Sequence, residues 1–165
     1  MQTIRLESPT VEPGKTVPRE HTSQGANTSP ALKWFGLPSD TKEIAVALED
    51  LDNHMFPGEK VFVQWLVYGI PPTASGLPAN VPRGENIGMP ADIAGAHQAS
   101  THYDVEGYRG PEPPAGELHH YRFVVYALNA TLGIGPNRRA SSVMSQIAGR
   151  IIAEGEIKAT YARTP

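Results

Sequence analysis

The spread of glycine and proline along the chain constrains its fold more than any other feature of the sequence. The chain contains 16 glycines and 16 prolines, which are spread along its length rather than gathered into a linker. Because both residue types favour turns and interrupt helices, the segments between them are short and bounded at both ends. The pattern predicts an all-β domain of short extended strands joined by fixed turns and by long loops.

Four segments have the composition of strands. β-Branched and aromatic residues fill runs of strand length, and turn residues bound them. Three of these runs are largely apolar at odd and even positions alike, which is typical of central strands covered on both faces. The fourth alternates like a closing strand. The predicted strands are Ile44–Leu48, Val61–Ile70, His120–Leu128 and, as the closing strand, Gly155–Tyr161.

One helix is predicted near the C-terminus, over Asn137–Ile152. Its Val143, Ile147 and Ile151 recur every four residues, while Arg138, Arg139, Ser145 and Gln146 fall on other positions. Met144 widens the apolar face, which indicates that this side of the helix packs on the core.

The bulk properties of the chain exclude several classes of function. Its 165 residues have the size of one domain, so we predict a single domain over residues 1–165. Lys and Arg number 14 against 17 Asp and Glu, and this net charge of −3 without a basic run disfavours nucleic acid as a partner. The absence of cysteine excludes disulfides, thiolate nucleophiles and Cys-based metal sites.

The N-terminal segment bears on the location of the protein. The sequence MQTIRLESPTVEPGKTVPRE carries charges and prolines where a secretory signal needs an apolar core of roughly 7 to 15 residues. No stretch approaches the length of about 20 apolar residues that spans a bilayer. We expect a cytoplasmic protein without stable membrane insertion, although a signal peptide removed from the chain would leave no trace in this sequence.

The segment Gly107–Tyr121 carries the richest chemistry. Its prolines restrict the backbone, while its glycines allow a ligand to approach closely and expose N–H donors, which is typical of a cradle for an anion. The segment leads into a predicted strand in which His119 and Tyr121 share one face, while His120 and Arg122 share the other. A purely structural Pro-Pro turn is the alternative interpretation.

Several motifs follow one another in a specific order. They are SPALKW from Ser29, EDLD from Glu49, the strand from Trp65 to Gly69-Ile70-Pro71, GYRGPEPPAG from Gly107, HHY from His119 and YAL from Tyr126. In this order they resemble the phosphatidylethanolamine-binding or Raf-kinase-inhibitor-like family, in its bacterial and archaeal branch. The similarity extends from about Ile4 to Tyr161, essentially the whole chain.

This resemblance implies a fold and a binding function. The implied fold is a Greek-key β-sandwich of antiparallel sheets with a C-terminal helix. The implied function is the non-enzymatic binding of a small anion or a phosphorylethanolamine-type headgroup in a surface pocket, with a kinase or a protease as protein partner and a homodimer as assembly. By position, the pocket residues are Asp50, Asp52, Gln64, Gly110, Pro111, Pro113, Pro114, His119 and Tyr121.

Strand alternation supports part of this assignment. Asp50 and Asp52 continue the side of the strand that carries Ile44, Val46 and Leu48, so both carboxylates are expected at one pocket mouth.

The chain departs from the family pattern at three places. Asp50-Leu51-Asp52-Asn53-His54 keeps both carboxylates of the family's DPDAP motif but neither proline, which predicts a looser mouth. Gln64 stands where the family has a second pocket histidine, and it cannot carry that charge, so anion binding is expected to be weaker or different in preference. His120 replaces the arginine of the family's HRY motif.

Two other functions compete with headgroup binding. The departures at Gln64 and after Asp50 favour a protein-interaction module with a vestigial pocket. A small-ester or phosphoester hydrolase would use Asp50, Asp52 and His119 as acid–base groups, but the chain offers neither cysteine nor a GxSxG elbow as nucleophile.

No catalytic residue, metal site or cofactor is predicted. His119 and His120 are adjacent on a strand and so face opposite ways, which prevents them from sharing one ion. The remaining chemistry-bearing residues have ordinary interpretations: loop or surface histidines for His21, His54, His97 and His102, core aromatics for Trp34 and Trp65, and solvated strand faces for Lys33 and Arg122.

Overall fold

The chain folds into two β-sheets and one α-helix in a computed structural model that describes residues 2–53, 62–88, 90–101 and 105–164. Two short 3-10 helices lie at Arg19–His21 and Ala91–Ile93. The elements are β1 (Gln2–Thr3), β2 (Arg5–Glu7), β3 (Leu32–Phe35), β4 (Glu43–Asp50), β5 (Phe62–Ile70), β6 (Gly76–Leu77), β7 (His97–Gln98), β8 (Leu118–Leu128), α1 (Ala140–Ile147) and β9 (Ile151–Ala162).

The larger sheet has the strand order β1-β9-β8-β4-β5-β7, and the smaller sheet has the order β2-β3-β6. All neighbouring strands are antiparallel except β1, which runs parallel to β9. After β4, β5 and β7 pair in sequence, the chain returns through a long connection to place β8 beside β4, which is a Greek key. The predicted antiparallel Greek-key β-sandwich is confirmed.

The central strand β4 is buried along its whole length, as its apolar composition predicts. One face contributes Ile44, Val46 and Leu48 to a core shared with the small sheet. The other face contributes Ala45 and Ala47 to a second cluster, which α1 covers. Small side chains on this second face allow the helix to approach the sheet closely.

The helix is shorter than the sequence predicts. Val143 and Ile147 are fully buried as expected, but α1 ends at Ile147, and Ile151 begins β9. Gly149 weakens the helix at this point, and β9 gains a ladder of pairs with β8 that extends from Ile151 to Ala162. The prediction of a helix to Ile152 is therefore wrong, because strand pairing overrides the helical spacing.

The other predicted elements agree with the structure. The closing strand lies within the longer β9, and Trp34 and Trp65 are buried. Lys33 is exposed on β3, as expected. The predicted start of β5 at Val61 lies outside the described residues, and no helix within the described part of the chain is long and apolar enough to cross a bilayer.

Arg122 does not lie on a solvated strand face, contrary to the prediction. Its Nε lies 2.6 Å from Oε1 of the fully buried Glu49, and its Nη1 lies 3.2 Å from Glu154 and 3.0 Å from Glu156. The Tyr126 hydroxyl completes the cluster by donating to Glu49 over 2.7 Å, and burial raises the pKa of Tyr126. The sequence of β8 alone could not indicate this network, because the acidic partners come from β4 and β9.

Candidate anion-binding site

The centre of the candidate site is a buried contact between Asp50 and His119. The end of β4 lies beside the start of β8, and Oδ2 of Asp50 lies 2.8 Å from Nδ1 of His119. The two side chains are only 2% and 8% exposed. Since a carboxylate can only accept, Nδ1 carries the proton in this contact. The other oxygen of Asp50 accepts the backbone N–H of Asp52 at 2.9 Å.

The second imidazole nitrogen of His119 is the one available for a ligand. Nε2 lies 4.0 Å from Oε2 of Glu117, which is beyond hydrogen-bond distance. No other group among the described residues is within hydrogen-bond reach of it. Tyr121 lies on the same strand face with its ring centroid 6.3 Å from that of His119, in agreement with strand alternation.

Asp52 is not on the face of Asp50, and this expectation is wrong. Strand β4 ends at Asp50, so Asp52 lies in the following turn, where alternation no longer applies. Its Oδ2 accepts the backbone N–H of His120 at 2.6 Å and lies 2.7 Å from the His120 Nδ1. The hydrogen bond from the backbone N–H of His120 is the main reason why the pKa of Asp52 lies below its usual value. Its carboxylate is therefore engaged on the face opposite to His119.

Gln64 binds the Pro-rich loop, which we define as Gly107–Glu117. Its side-chain nitrogen donates to the carbonyl oxygens of Arg109 at 3.0 Å and Gly110 at 2.8 Å. Gln64 is the extra residue of a β-bulge, because Trp65 pairs with Leu48 while Val63 pairs with Glu49. A bulge re-aims the side chain it carries, and here it turns the amide towards the loop.

Gly110 is fixed in the loop by its backbone. Its N–H donates to Oδ1 of Asn27 at 2.8 Å, so this N–H is not the anion donor that the cradle hypothesis expects. A Cβ at this position would lie 1.9 Å from the carbonyl oxygen of His21, which explains why only glycine fits. Gly110 therefore positions the loop.

The prolines of the loop have structural surroundings as well. Pro111 and Pro113 are buried, and the carbonyl of Pro111 accepts the backbone N–H of Ser23 at 3.1 Å. Pro114 is exposed, and its carbonyl accepts the N–H of Glu117 at 3.1 Å. Because proline has no N–H, none of the three can donate to an anion. They shape the Pro-rich loop, which leads into β8 and His119.

The base of the loop is anchored by the motif residue Tyr108 and by Arg83 and Asn27, which the sequence motifs did not indicate. The hydroxyl of the buried Tyr108 donates to the His21 carbonyl at 2.7 Å, and burial raises the pKa of Tyr108. The ring of Tyr108 stands edge-on to Trp65, with centroids 5.2 Å apart. Arg83 donates to the Tyr108 carbonyl at 3.0 Å. Asn27 has a φ of +58°, a conformation that asparagine tolerates better than most residues, but no sequence pattern links it to a loop so distant along the chain.

The remaining histidines take different positions. His21 is buried, with Nδ1 2.7 Å from the Thr28 carbonyl and Nε2 2.9 Å from the Thr10 hydroxyl, so the prediction of a loop or surface histidine is wrong for it. His97 is half-buried on β7, and its Nδ1 is hydrogen-bonded to the side chain of Asn86. The predicted surface histidines His54 and His102 lie outside the described residues. Within the part of the chain that the structure describes, no three potential metal ligands cluster.

Comparison with known proteins identifies the family. The family model described as phosphatidylethanolamine-binding protein matches residues 7–162. The chain belongs to this family. A UPF0098 protein of Methanothermobacter thermautotrophicus is 34% identical over 89% of this chain and 91% of its own length. A relative from Mycobacterium tuberculosis, 30% identical over 96% of this chain and 72% of its own length, has the word lipoprotein in its name.

Solved structures of the family share the fold. YbcL of Escherichia coli, described as a new member of the mammalian family, has a TM-score of 0.85 and 30% identity, and the similarity covers 98% of this chain and 99% of YbcL. CT736 of Chlamydia trachomatis, described as a homologue of the phosphatidylethanolamine-binding protein, has a TM-score of 0.80 and 25% identity over 99% of both chains. The two-sheet architecture is therefore that of the bacterial members of the family.

Proposed function

We propose that this protein binds a small anion without transforming it, and that the phosphate of a phosphorylethanolamine-type headgroup is such an anion. The observation that carries the proposal is the buried contact between Asp50 and His119. With Nδ1 held by Asp50, Nε2 is the imidazole nitrogen left for the anion. In this proposal the anion accepts from Nε2–H of His119, and hydrogen bonds to an ionised acceptor are the stronger ones.

The other predicted site residues support this donor by their placement. Tyr121 lies beside His119 on the same face, and Gln64 together with Gly110 fixes the loop that precedes it. A loop fixed through its backbone gives a ligand a ready-made wall, which reduces the entropy that binding must overcome. In this proposal His119 and Tyr121 contact the anion, while Asp50, Gln64, Gly110 and the prolines position them.

The surroundings of His119 favour binding over hydrolysis. A hydrolase needs a nucleophile within reach of its base. Among the described residues, no serine or threonine hydroxyl lies within hydrogen-bond distance of His119, and the carboxylates close to its ring nitrogens are those of Asp50 and Glu117. The Asp50–His119 pair can therefore hold an anion, but no nucleophile among the described residues lies beside it to attack an ester.

Binding of phosphorylethanolamine tests the proposal directly. We expect the imidazole resonances of His119 to shift saturably during a titration followed by NMR, while those of His97, on β7, stay unchanged. A folded protein that shows no saturable shift at His119 with phosphorylethanolamine or with phosphate would overturn the proposal.

Three wider expectations stay predictions. They are the kinase or protease partner, the homodimer and the cytoplasmic location.

The vestigial-pocket alternative makes a distinct prediction, since His119→Gln would then leave every partner interaction intact while anion binding is absent in the native protein.

A further inference from the structure

Glu117 lies next to His119, the proposed donor of the candidate site. It stands one residue before β8 and two residues before His119. Its side chain is 57% exposed, and Oε2 lies 4.0 Å from Nε2 of His119. The turn that closes with the Glu117 N–H on the Pro114 carbonyl holds its backbone in place.

The two aspartates near His119 are unsuited to receive a cation from a ligand. Asp50 is 2% exposed, and its two oxygens are engaged by His119 and by the Asp52 N–H. Asp52 is engaged by His120 on the opposite face. Of the three carboxylates, Glu117 is the one that is both exposed and beside the donor nitrogen.

We propose that Glu117 determines the ligand preference of the site by receiving the ammonium group of a zwitterionic phosphomonoester. This inference rests on the proposed function, since it needs His119 to hold the phosphate. A phosphate on Nε2 lies within a few ångströms of the Glu117 carboxylate, which repels a ligand that carries only negative charge. An ammonium group two carbons from the phosphate oxygen converts that repulsion into attraction.

The size of the effect follows from the exposure of Glu117. Exposed ion pairs contribute modestly, so we expect removal of the charge to change each affinity by about two- to fivefold, in opposite directions for the two kinds of ligand. The ratio of the two affinities therefore changes by about four- to twenty-fivefold.

The test compares O-phosphorylethanolamine with ethyl phosphate, which lacks the amine. Wild-type protein should prefer phosphorylethanolamine, and Glu117→Gln should bind ethyl phosphate more tightly and phosphorylethanolamine more weakly, as measured by calorimetric or NMR titration. Asp40→Asn is the matched control, because it makes the same change in charge at an exposed residue beyond the far end of β4. It should leave the preference unchanged.

The outcomes separate this inference from the proposed function. If wild-type protein binds neither compound, both fail. If it binds both compounds without preference, or if Glu117→Gln keeps the wild-type preference, the role of Glu117 is overturned while anion binding at His119 stands. A preference that Asp40→Asn abolishes equally would assign the effect to net charge and overturn the role of Glu117 as well.

Discussion

Two aspartate–histidine pairs lie at neighbouring positions of this protein, on opposite faces of the large sheet. Asp50 meets His119 on the inner face at 2.8 Å, and Asp52 meets His120 on the outer face at 2.7 Å. The contacts have nearly the same length, but the inner side chains are 2% and 8% exposed while the outer ones are 40% and 58% exposed. Identical residue types at neighbouring positions therefore differ in environment alone.

Burial, rather than contact distance, decides what such a pair can do. Water screens the outer pair and competes for its hydrogen bonds, so it contributes little to stability or to ligand binding. The inner pair is shielded, so its carboxylate acts strongly on the imidazole and orients it. His119 and His120 are adjacent on one strand and so face opposite sides of the sheet, which is enough to give the two pairs different roles.

The largest expected contrast concerns stability. Asp50→Ala should lower the free energy of unfolding by about 3 kcal/mol, because the buried His119 Nδ1–H and the Asp52 N–H lose their acceptor. Asp52→Ala should cost less than about 1 kcal/mol, because its partner is exposed. Urea unfolding of both variants measures the contrast, and equal losses would show that burial does not distinguish the pairs.

The next contrast concerns phosphate affinity. His119→Gln should weaken binding by about tenfold or more, because it removes the imidazole Nε2 that donates to the anion. The matched variant His120→Gln should stay within about twofold of the wild type, since His120 faces away from the site. Calorimetric titration with phosphate distinguishes the two, and a larger loss in His120→Gln would place the anion on the outer face.

Gln64 acts on the inner side of the sheet, because its amide nitrogen donates to the Pro-rich loop. Gln64→Leu should lower the free energy of unfolding by about 1–2 kcal/mol, because the Arg109 and Gly110 carbonyls lose their donor. Hydrogen exchange at the Gly110 amide should quicken, while exchange at the His120 amide should not change. Unaltered exchange at Gly110 would mean that Asn27 holds the loop without Gln64.

The smallest expected effect is the pH dependence of the outer pair. Hydrogen bonds from His120 lower the pKa of Asp52 in the folded state, so this carboxylate stabilises the fold above the ordinary aspartate pKa of 3.8. The contribution is lost as the pH falls through the lowered folded-state pKa. The stability difference between the wild type and Asp52→Asn should therefore be present at neutral pH, stay below about 1 kcal/mol, and shrink below about pH 4. A difference that grows towards acid pH would contradict this linkage.

Composition and periodicity predicted the parts of the fold that depend on local sequence. The strands around Ile44–Leu48 and His120–Leu128 are rich in β-branched residues and buried on both faces, so their composition alone identified them. The helix prediction failed at Ile151, which pairs with β8 instead of continuing the helix. The four-residue spacing of apolar residues contains no information about this pairing partner.

The location of the site was predictable from the sequence, but the contacts that hold the site together were not. Alternation placed His119 and Tyr121 on one face because both lie inside β8. It failed for Asp52 because β4 ends at Asp50. The bond between Asn27 and Gly110 joins distant parts of the chain, and the bulge that turns Gln64 exists only in a paired strand. Such contacts depend on register, which a single sequence does not contain.

The way in which the Pro-rich loop is attached has a consequence for how this site can diversify. Asn27, Gln64 and Ser23 hold the loop through the main-chain groups of Arg109, Gly110 and Pro111. The shape of the loop is thereby uncoupled from the exposed side chains it carries towards His119. A position such as Glu117 can be exchanged without rebuilding the scaffold, which makes this loop a suitable starting point for engineering receptors that recognise other phosphorylated compounds.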